Sequence, residues 1–168
     1  NLDDMQQLDK QKTDDFDTVE EYRKFTISKL GENITIRRFK RIHLDGMLGR
    51  YTHGSKIASL VLLDDDDSAE LAKDIAMHVA ASKPEYISKN DIPEEVIKEE
   101  SRILRVQVKQ EGKPEEIIDK IVDGKLKKQF DQLTLMGQEY VKDPEITVEK
   151  LLKDQDARVK SFIRYEVG

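Results

Sequence analysis

The sequence contains no cysteine and no tryptophan, and aromatic residues make up 6% of its 168 positions. Without cysteine, the chain can form neither a disulfide nor a thiolate metal site, so nothing points to an oxidising compartment. No apolar run approaches the roughly 20 residues that a membrane-spanning helix needs, and no signal-peptide pattern opens the sequence. We therefore expect a cytoplasmic protein without a membrane partner.

The sequence also lacks an excess of positive charge, because its 29 Lys and Arg residues are outnumbered by 35 Asp and Glu residues, for a net charge of −6. Binding to nucleic acid requires clustered basic side chains, so this balance argues against a direct nucleic-acid partner. The basic run "RRFKR" (37–41) would place its charges on both faces of a strand. That placement favours solvated or ion-paired side chains over a nucleic-acid patch.

The residue patterns of enzymes and metal sites are missing as well. His43, His53 and His78 are too far apart in sequence for the short ligand spacings of zinc sites. No serine stands in a G-x-S-x-G elbow, and the glycines of 46–54 lack the Lys-Ser/Thr of a phosphate loop. The acidic run 64–67 lacks the alternating ligands of a calcium loop. We predict a protein without catalytic residues, metal or cofactor.

The first strong local pattern is a helix. Thr18 and Glu21 have the spacing of a capping box, and Gly31 is a typical helix stop. Ile34 and Ile36 then alternate with polar neighbours, which predicts a half-buried strand.

The middle of the chain predicts a β-hairpin followed by a helix. The β-rich runs 47–54 and 56–63 are separated by a glycine-containing turn, and the second run is apolar enough for a central strand. Asp67 is the expected cap of the next helix, which Pro84 ends.

His78 occupies the apolar stripe of this helix, together with Leu71 and Ile75. A hydrogen-bonded core histidine is one interpretation, because histidine is commonly of intermediate burial. A docking surface is the other, since the small residues 80–82 allow another element to approach closely. The pattern leaves both open.

Two charged helical stretches follow, and Asp91 is the expected cap of the first. The linker "EGKP" (111–114) joins them into an αα-hairpin with a narrow apolar seam within 96–126. A seam of this kind must pack against itself, against the rest of the chain or against a second chain. An oligomerising module is therefore one candidate function.

The last part of the chain predicts an irregular stretch up to Pro144, a short helix capped by Thr147 and a final strand. In that strand Ile163, Tyr165 and Val167 alternate with charged residues and are expected to point inward. Because strands and helices are grouped and do not strictly alternate, the order favours an antiparallel α+β fold.

Several strings resemble the elongation factor Ts family in order and spacing. They are "GENITIRRF" (31–39), "HGSKIASLV" (53–61), "MHVAASKPEYI" (77–87), "GKPEEIIDKIVDGKLKK" (112–128) and "SFIRYEVG" (161–168). Members of that family are guanine-nucleotide exchange factors for elongation factor Tu. The resemblance covers about residues 20–168 and implies a translation factor that acts without covalent chemistry.

The resemblance also implies an architecture of two small α+β subdomains with antiparallel sheets and a projecting antiparallel helical hairpin. The expected parts are a flexible lead-in (1–17), an N-side subdomain (18–67), a C-side subdomain (68–93 and 131–168) and a dimerisation-type hairpin (94–130). A homodimer through the hairpin is a further implication. The family's N-terminal domain and its T-D-F-V loop have no counterpart here, so we expect a piece of a longer protein.

Three residues match family positions at or beside the contact with elongation factor Tu. Ile57 and Ala58 fall in the family's H-G-x-x-I-G string, and His78 falls in M-H-V-A-A-S. Ala58 stands where the family usually has glycine, and its methyl group restricts how closely a partner backbone can approach. The resemblance thus assigns Ile57, Ala58 and His78 to partner binding.

Overall fold

A computed structural model describes residues 5–64 and 67–167. Its internal contacts divide the chain after His43 into two compact units. Asp65 and Asp66 of the acidic run, together with residues 1–4 and 168, lie outside the described residues.

The first unit contains helices α1 (Met5–Asp9) and α2 (Val19–Leu30). The predicted ends of α2 are confirmed: Thr18 Oγ accepts a hydrogen bond from Glu21 N (3.1 Å), and Gly31 adopts a left-handed conformation (φ 74°). Such caps satisfy backbone groups that a helix end leaves unpaired.

The strand predicted at Ile34 and Ile36 is wrong, because residues 33–43 form neither helix nor strand. A strand requires a neighbouring strand to accept and donate its backbone hydrogen bonds. Here the carbonyl oxygen of Ile34 accepts instead from Arg23 Nη1 (2.8 Å), a side chain of α2. An alternating pattern alone could not reveal this competing partner.

The second unit is built on a three-stranded antiparallel sheet. Its strands are β1 (Leu48–His53), β2 (Ile57–Leu63) and β5 (Val159–Glu166), in the order β1-β2-β5. The predicted hairpin, the central position of its second strand and the final strand are all confirmed. In the second unit, antiparallel strands and packed helices confirm the α+β fold class.

Helix α3 (Ala69–Ser82) packs on one face of this sheet. Its N-cap is Ser68, so the prediction of Asp67 as the cap is wrong by one residue. Its apolar side chains form one core with the sheet and the C-terminal elements. The core residues are Val61, Leu63, Ala72, Ile75, Ala76, Val79, Leu135, Tyr140, Val148, Leu152 and Ala157.

The inward face of β5 is the reverse of the prediction. Phe162 lies opposite the core residue Val61, and Arg164 lies opposite Ser59, whose Oγ donates to Ala76 O of α3 (2.6 Å). Cross-strand partners share a face, so Phe162 and Arg164 face the helix, and the alternation puts Ile163 on the opposite face. Arginine is tolerated there because its aliphatic stem packs while its guanidinium reaches a polar partner.

Helices α4 (Glu94–Gln110) and α5 (Glu115–Leu133) pair antiparallel through their own apolar cluster. Val108, Ile118 and Val122 are buried in that cluster. The seam predicted from the sequence is therefore used within one chain. The pairing also joins Lys125 Nζ to Glu111 Oε1 (2.8 Å) across the two helices.

The predicted cap of α4 at Asp91 is wrong. Asp91 ends a short 3-10 turn (Lys89–Asp91), and its carboxylate accepts from Ser88 N (2.8 Å) and Ser88 Oγ (2.6 Å). The residue that precedes α4 is Pro93.

A small hairpin fills part of the stretch that was expected to be irregular. It consists of β3 (Glu139–Tyr140) and β4 (Asp143–Thr147), and α6 (Val148–Asp154) follows directly. The cap at Thr147 is confirmed by its hydrogen bond from Lys150 N (3.3 Å). Within the described residues, none of the helices combines the length and apolarity required to cross a bilayer.

Candidate functional site

Ile57 and Ala58 begin β2, directly after the turn of the β1–β2 hairpin. Ile57 pairs with His53 on one side and Glu166 on the other, while Ala58 pairs with Tyr165 of β5. Ile57 is half-buried and Ala58 is exposed. The methyl group of Ala58 is therefore accessible to another molecule.

The C-terminal end of α3 lies next to this end of the sheet. Lys83 Nζ is 3.4 Å from Glu166 Oε2, and Glu166 is the cross-strand neighbour of Ile57. Arg164 donates from Nε to the carbonyl oxygen of Ala80 (3.0 Å) and from Nη1 to Glu166 Oε2 (2.9 Å). These contacts hold the end of α3 against the strand that neighbours Ile57.

His78 lies on α3 with none of its surface exposed. Val141 N donates to its Nδ1 (3.2 Å), and its Nε2 is 2.9 Å from Gln138 Oε1. Because Nδ1 accepts, the neutral tautomer carries its proton on Nε2 and donates to Gln138. Both ring nitrogens are thus engaged inside the protein.

Gln138 makes two further contacts besides its bond to this histidine. Its Nε2 donates to Ser82 O at the end of α3 (3.2 Å) and to Gln132 O near the end of α5 (2.7 Å). With its Oε1 bound to His78, the amide side chain joins α3 and the end of α5 to the residue that directly precedes β3.

A second polar contact lies one helical turn before His78. Asp74 accepts from the hydroxyl of Tyr140 (3.2 Å) and pairs with Lys142 Nζ (2.6 Å). Burial, with Asp74 as a further cause, raises the pKa of Tyr140 to about 12. The phenol therefore remains protonated and donates to Asp74 at any physiological pH.

Burial lowers the pKa of His78 below its ordinary value of 6.5, while the hydrogen bond to Gln138 opposes that shift. A proton on Nδ1 would also face the N–H group of Val141, and two donors cannot bond each other. The folded protein therefore favours the neutral imidazole.

This shift predicts a pH-dependent stability. The unfolded chain binds a proton at His78 near pH 6.5, whereas the folded chain binds it at lower pH. The contribution of His78 to the free energy of unfolding is complete above pH 6.5. It decreases as the pH falls toward the pKa of the folded chain, by at most about 1.4 kcal/mol per pH unit. Urea unfolding between pH 7.5 and 5.5 measures this loss.

The control for that measurement is His78→Asn, which cannot titrate. We expect the wild-type chain to lose more stability than the variant over the same pH range. Glu166, whose pKa is lowered by Arg164 and Lys83, titrates below 4.5 and so does not contribute within that range. Equal losses in both proteins would contradict the assignment to His78.

Sequence reasoning missed the partners of His78. Gln138 lies 60 residues away in sequence, and no local pattern distinguishes it from other glutamines. Arg164 carried a misleading signal, because it fits the charged half of the alternation over 163–167 and was therefore expected to point to solvent.

The arrangement can serve as a binding surface. It offers an accessible strand end, an ion-paired helix end and a buried polar network that fixes their positions. Among the described residues, no three His, Cys, Asp or Glu side chains are grouped as metal ligands would be.

Comparison with known proteins gives consistent results. The family model described as "Elongation factor TS" matches residues 1–168. Curated relatives named "Elongation factor Ts" include those of Legionella pneumophila strain Paris, with 53% identity over 151 residues, and Alkalilimnicola ehrlichii, with 52% over 143. That of Francisella tularensis subsp. novicida shows 47% identity over 157 residues.

These matches cover 90%, 84% and 94% of the chain, respectively, but 51%, 49% and 54% of the relatives. The chain thus spans about half the length of the curated relatives that it matches. Since the family model matches from the first to the last residue and identity reaches 53%, the chain belongs to the elongation factor Ts family.

Proposed function

We propose that this chain is part of a translation elongation factor that binds elongation factor Tu and promotes release of its GDP. The observation that carries the proposal is membership of the elongation factor Ts family over the full length of the chain. The cytoplasm is the corresponding location, and the proposed partner is the GTPase itself and not nucleic acid or a membrane.

The mechanism requires no covalent chemistry. A protein that binds the nucleotide-free GTPase more tightly than the GDP-bound form must, by linkage, weaken GDP binding by the same factor. A coupling of about 3 kcal/mol corresponds to a factor of roughly 150. The chain needs only a surface of fixed shape that fits the nucleotide-free form.

We propose that this surface includes Ile57 and Ala58, with His78 supporting it from within the fold. Lys83 and Glu166 join the end of α3 to the strand end that carries Ile57. A surface held in one arrangement loses little conformational entropy on binding.

The division into subdomains and the projection of α4 and α5 from the rest of the chain are also proposals. A homodimer through these helices has weaker support, because Ile118 and its neighbours are buried within one chain. The exposed apolar residues Val106 (47%) and Ile117 (42%) are the side chains that such a dimer would use.

The test is the affinity of this chain for bacterial elongation factor Tu with and without GDP, measured by calorimetry. We expect tighter binding to the nucleotide-free form and a GDP affinity that falls by the same factor. Ile57→Asp should weaken binding at least tenfold, because it places a carboxylate on a half-buried apolar contact.

Val106→Asp is the matched control, since it makes the same kind of change on the exposed face of α4. It should bind as the unsubstituted chain does. Equal affinity for both nucleotide states of the GTPase would refute the proposal, and so would an equal loss in the two variants.

A further inference from the structure

We propose that helix α2 is a surface for self-association, on which a second copy of this chain docks antiparallel to the first. The surface, which we call the α2 patch, consists of Phe16, Tyr22, Phe25 and Leu30. It is separate from the proposed contact with elongation factor Tu. It also differs from a dimer through α4 and α5, because it uses another helix.

None of the residues of α2 is buried, although the helix carries several large apolar side chains. Tyr22, Phe25 and Leu30 are 50%, 45% and 64% exposed, and they make up three of the eight large apolar residues exposed in the described part of the chain. Tyr22 and Leu30 lie about two turns apart on one side of the helix, and Phe25 lies beside Tyr22. Single exposed apolar residues are common, but a group on one short helix indicates a contact surface.

The aromatic rings of the α2 patch are held in place before any partner arrives. Phe16 N donates to Thr13 Oγ1 (3.0 Å), and Phe16 O accepts from Thr13 N (3.0 Å). This turn places the centroid of the Phe16 ring 5.3 Å from that of Tyr22 and 5.1 Å from that of Phe25. Rings that already pack on one another lose little conformational entropy when a partner covers them.

The order of charges along α2 favours a second copy as the partner. Glu20 and Glu21 lie in the first turn of the helix, and Lys29 lies in the last turn. Glu20 is paired with Arg23 and Lys24 of its own helix, whereas Glu21 is exposed. The two ends of the helix therefore carry opposite charges that a reversed copy of the same helix can complement.

A twofold axis at Phe25 makes this order self-complementary. Positions 21 and 29 both lie four residues from 25, so the axis places Glu21 of each copy opposite Lys29 of the other. A twofold contact uses the same patch on both copies and thus forms two such ion pairs. A parallel pairing would instead place like charges next to each other.

The α2 patch has the area of a transient dimer. A buried aromatic residue covers about 150–250 Å², so each half-exposed side chain of the patch offers roughly 100 Å². Three such side chains on each of two copies bury roughly 600 Å² of apolar surface, against about 1,200–2,000 Å² for a stable specific complex. We therefore expect a dissociation constant on the order of 100 μM.

Sedimentation equilibrium of the chain at increasing protein concentration tests the association. The average mass should rise from that of the monomer toward that of the dimer around the expected dissociation constant. Phe25→Asp should weaken association at least tenfold, because it places a carboxylate at the twofold axis. Ile117→Asp is the matched control, since it makes the same kind of change at an exposed apolar residue of α5. It should associate as the unsubstituted chain does.

Charge reversal tests the antiparallel arrangement without changing the rings. Glu21→Lys and Lys29→Glu should each weaken association about threefold, because each places like charges opposite each other at both ends of the contact. The double variant should restore association to within about twofold of that of the unsubstituted chain. Both reversals oppose the helix dipole, so a more stable helix cannot explain the recovery.

Three results would overturn the inference. The first is a chain that remains monomeric well above the expected dissociation constant, as it would if the patch received only other proteins. The second is a loss in Ile117→Asp as large as that in Phe25→Asp, which a contact through α4 and α5 would cause. The third is a double charge variant that associates no better than either single one. None of these results bears on the binding of elongation factor Tu, which has its own test.

Discussion

Gly49→Ala is expected to lower the free energy of unfolding by about 3 kcal/mol or more. Gly49 lies on β1 beneath α3, and a Cβ atom there would be 1.9 Å from the carbonyl oxygen of Ala72 and 2.7 Å from Lys73 N. These are backbone atoms, so no side chain can move aside. The helix itself must shift away from the sheet.

This shift would also affect the proposed contact surface, because α3 carries His78 and Asp74. We therefore expect Gly49→Ala to weaken binding to elongation factor Tu together with stability. Thermal unfolding followed by circular dichroism should show that the unfolding temperature decreases by roughly 10 °C, since each kcal/mol usually shifts it by a few degrees in chains of this size.

Gly124→Ala is the matched control, because a Cβ atom at Gly124 meets nothing within 4 Å. Gly124 lies inside α5, where alanine is favoured over glycine by about 0.5–1 kcal/mol. The same substitution should thus destabilise at one position and stabilise at the other. A decrease in stability for both variants would show that the close approach of α3 is not the cause.

The parts of the fold that were predictable from sequence depend on neighbours along the chain. The caps at Thr18 and Thr147 bind backbone groups three residues away, and the β1–β2 hairpin closes over a short turn. Local chemistry decides such features, so a local pattern can identify them.

The features that were mispredicted depend on partners distant in sequence. The inward face of β5 is decided by its register with β2, about 100 positions earlier. The stretch around Ile34 has the alternation of a strand, but the carbonyl oxygen of Ile34 accepts a hydrogen bond from a side chain of α2. Alternation shows which residues share a face and leaves open which face is covered.

The candidate site shows the same division. A resemblance at the level of short strings proposes Ile57, Ala58 and His78 as partner-binding residues, and that assignment stays a prediction. It could not distinguish an exposed side chain from a buried one, because the burial of His78 involves Gln138 and Val141, which lie 60 and 63 residues away in sequence. The structure places Ala58 at the surface and His78 within the fold.

Ile118→Asp is expected to separate α4 from α5. Ile118 is 1% exposed in an apolar cluster with Val108 and Val122, which is distinct from the cluster around α3. An unpaired carboxylate at such a position costs about 3–5 kcal/mol, in addition to the lost apolar contacts. Since two isolated helices of this length are marginal in water, we expect much of their helical circular dichroism to disappear.

Ile117→Asp is a control from the adjacent position, where the side chain is 42% exposed. It should retain the helical signal, because its carboxylate remains in water. If α4 and α5 form a cooperative unit of their own, Ile118→Asp should leave the protection of the Val141 amide from hydrogen exchange largely unchanged. Binding to elongation factor Tu should also persist. A simultaneous loss of helicity, of protection of the Val141 amide from hydrogen exchange and of binding would instead show that the hairpin supports the proposed contact surface. The connection would be the hydrogen bond from Gln138, directly before β3, to Gln132 near the end of α5.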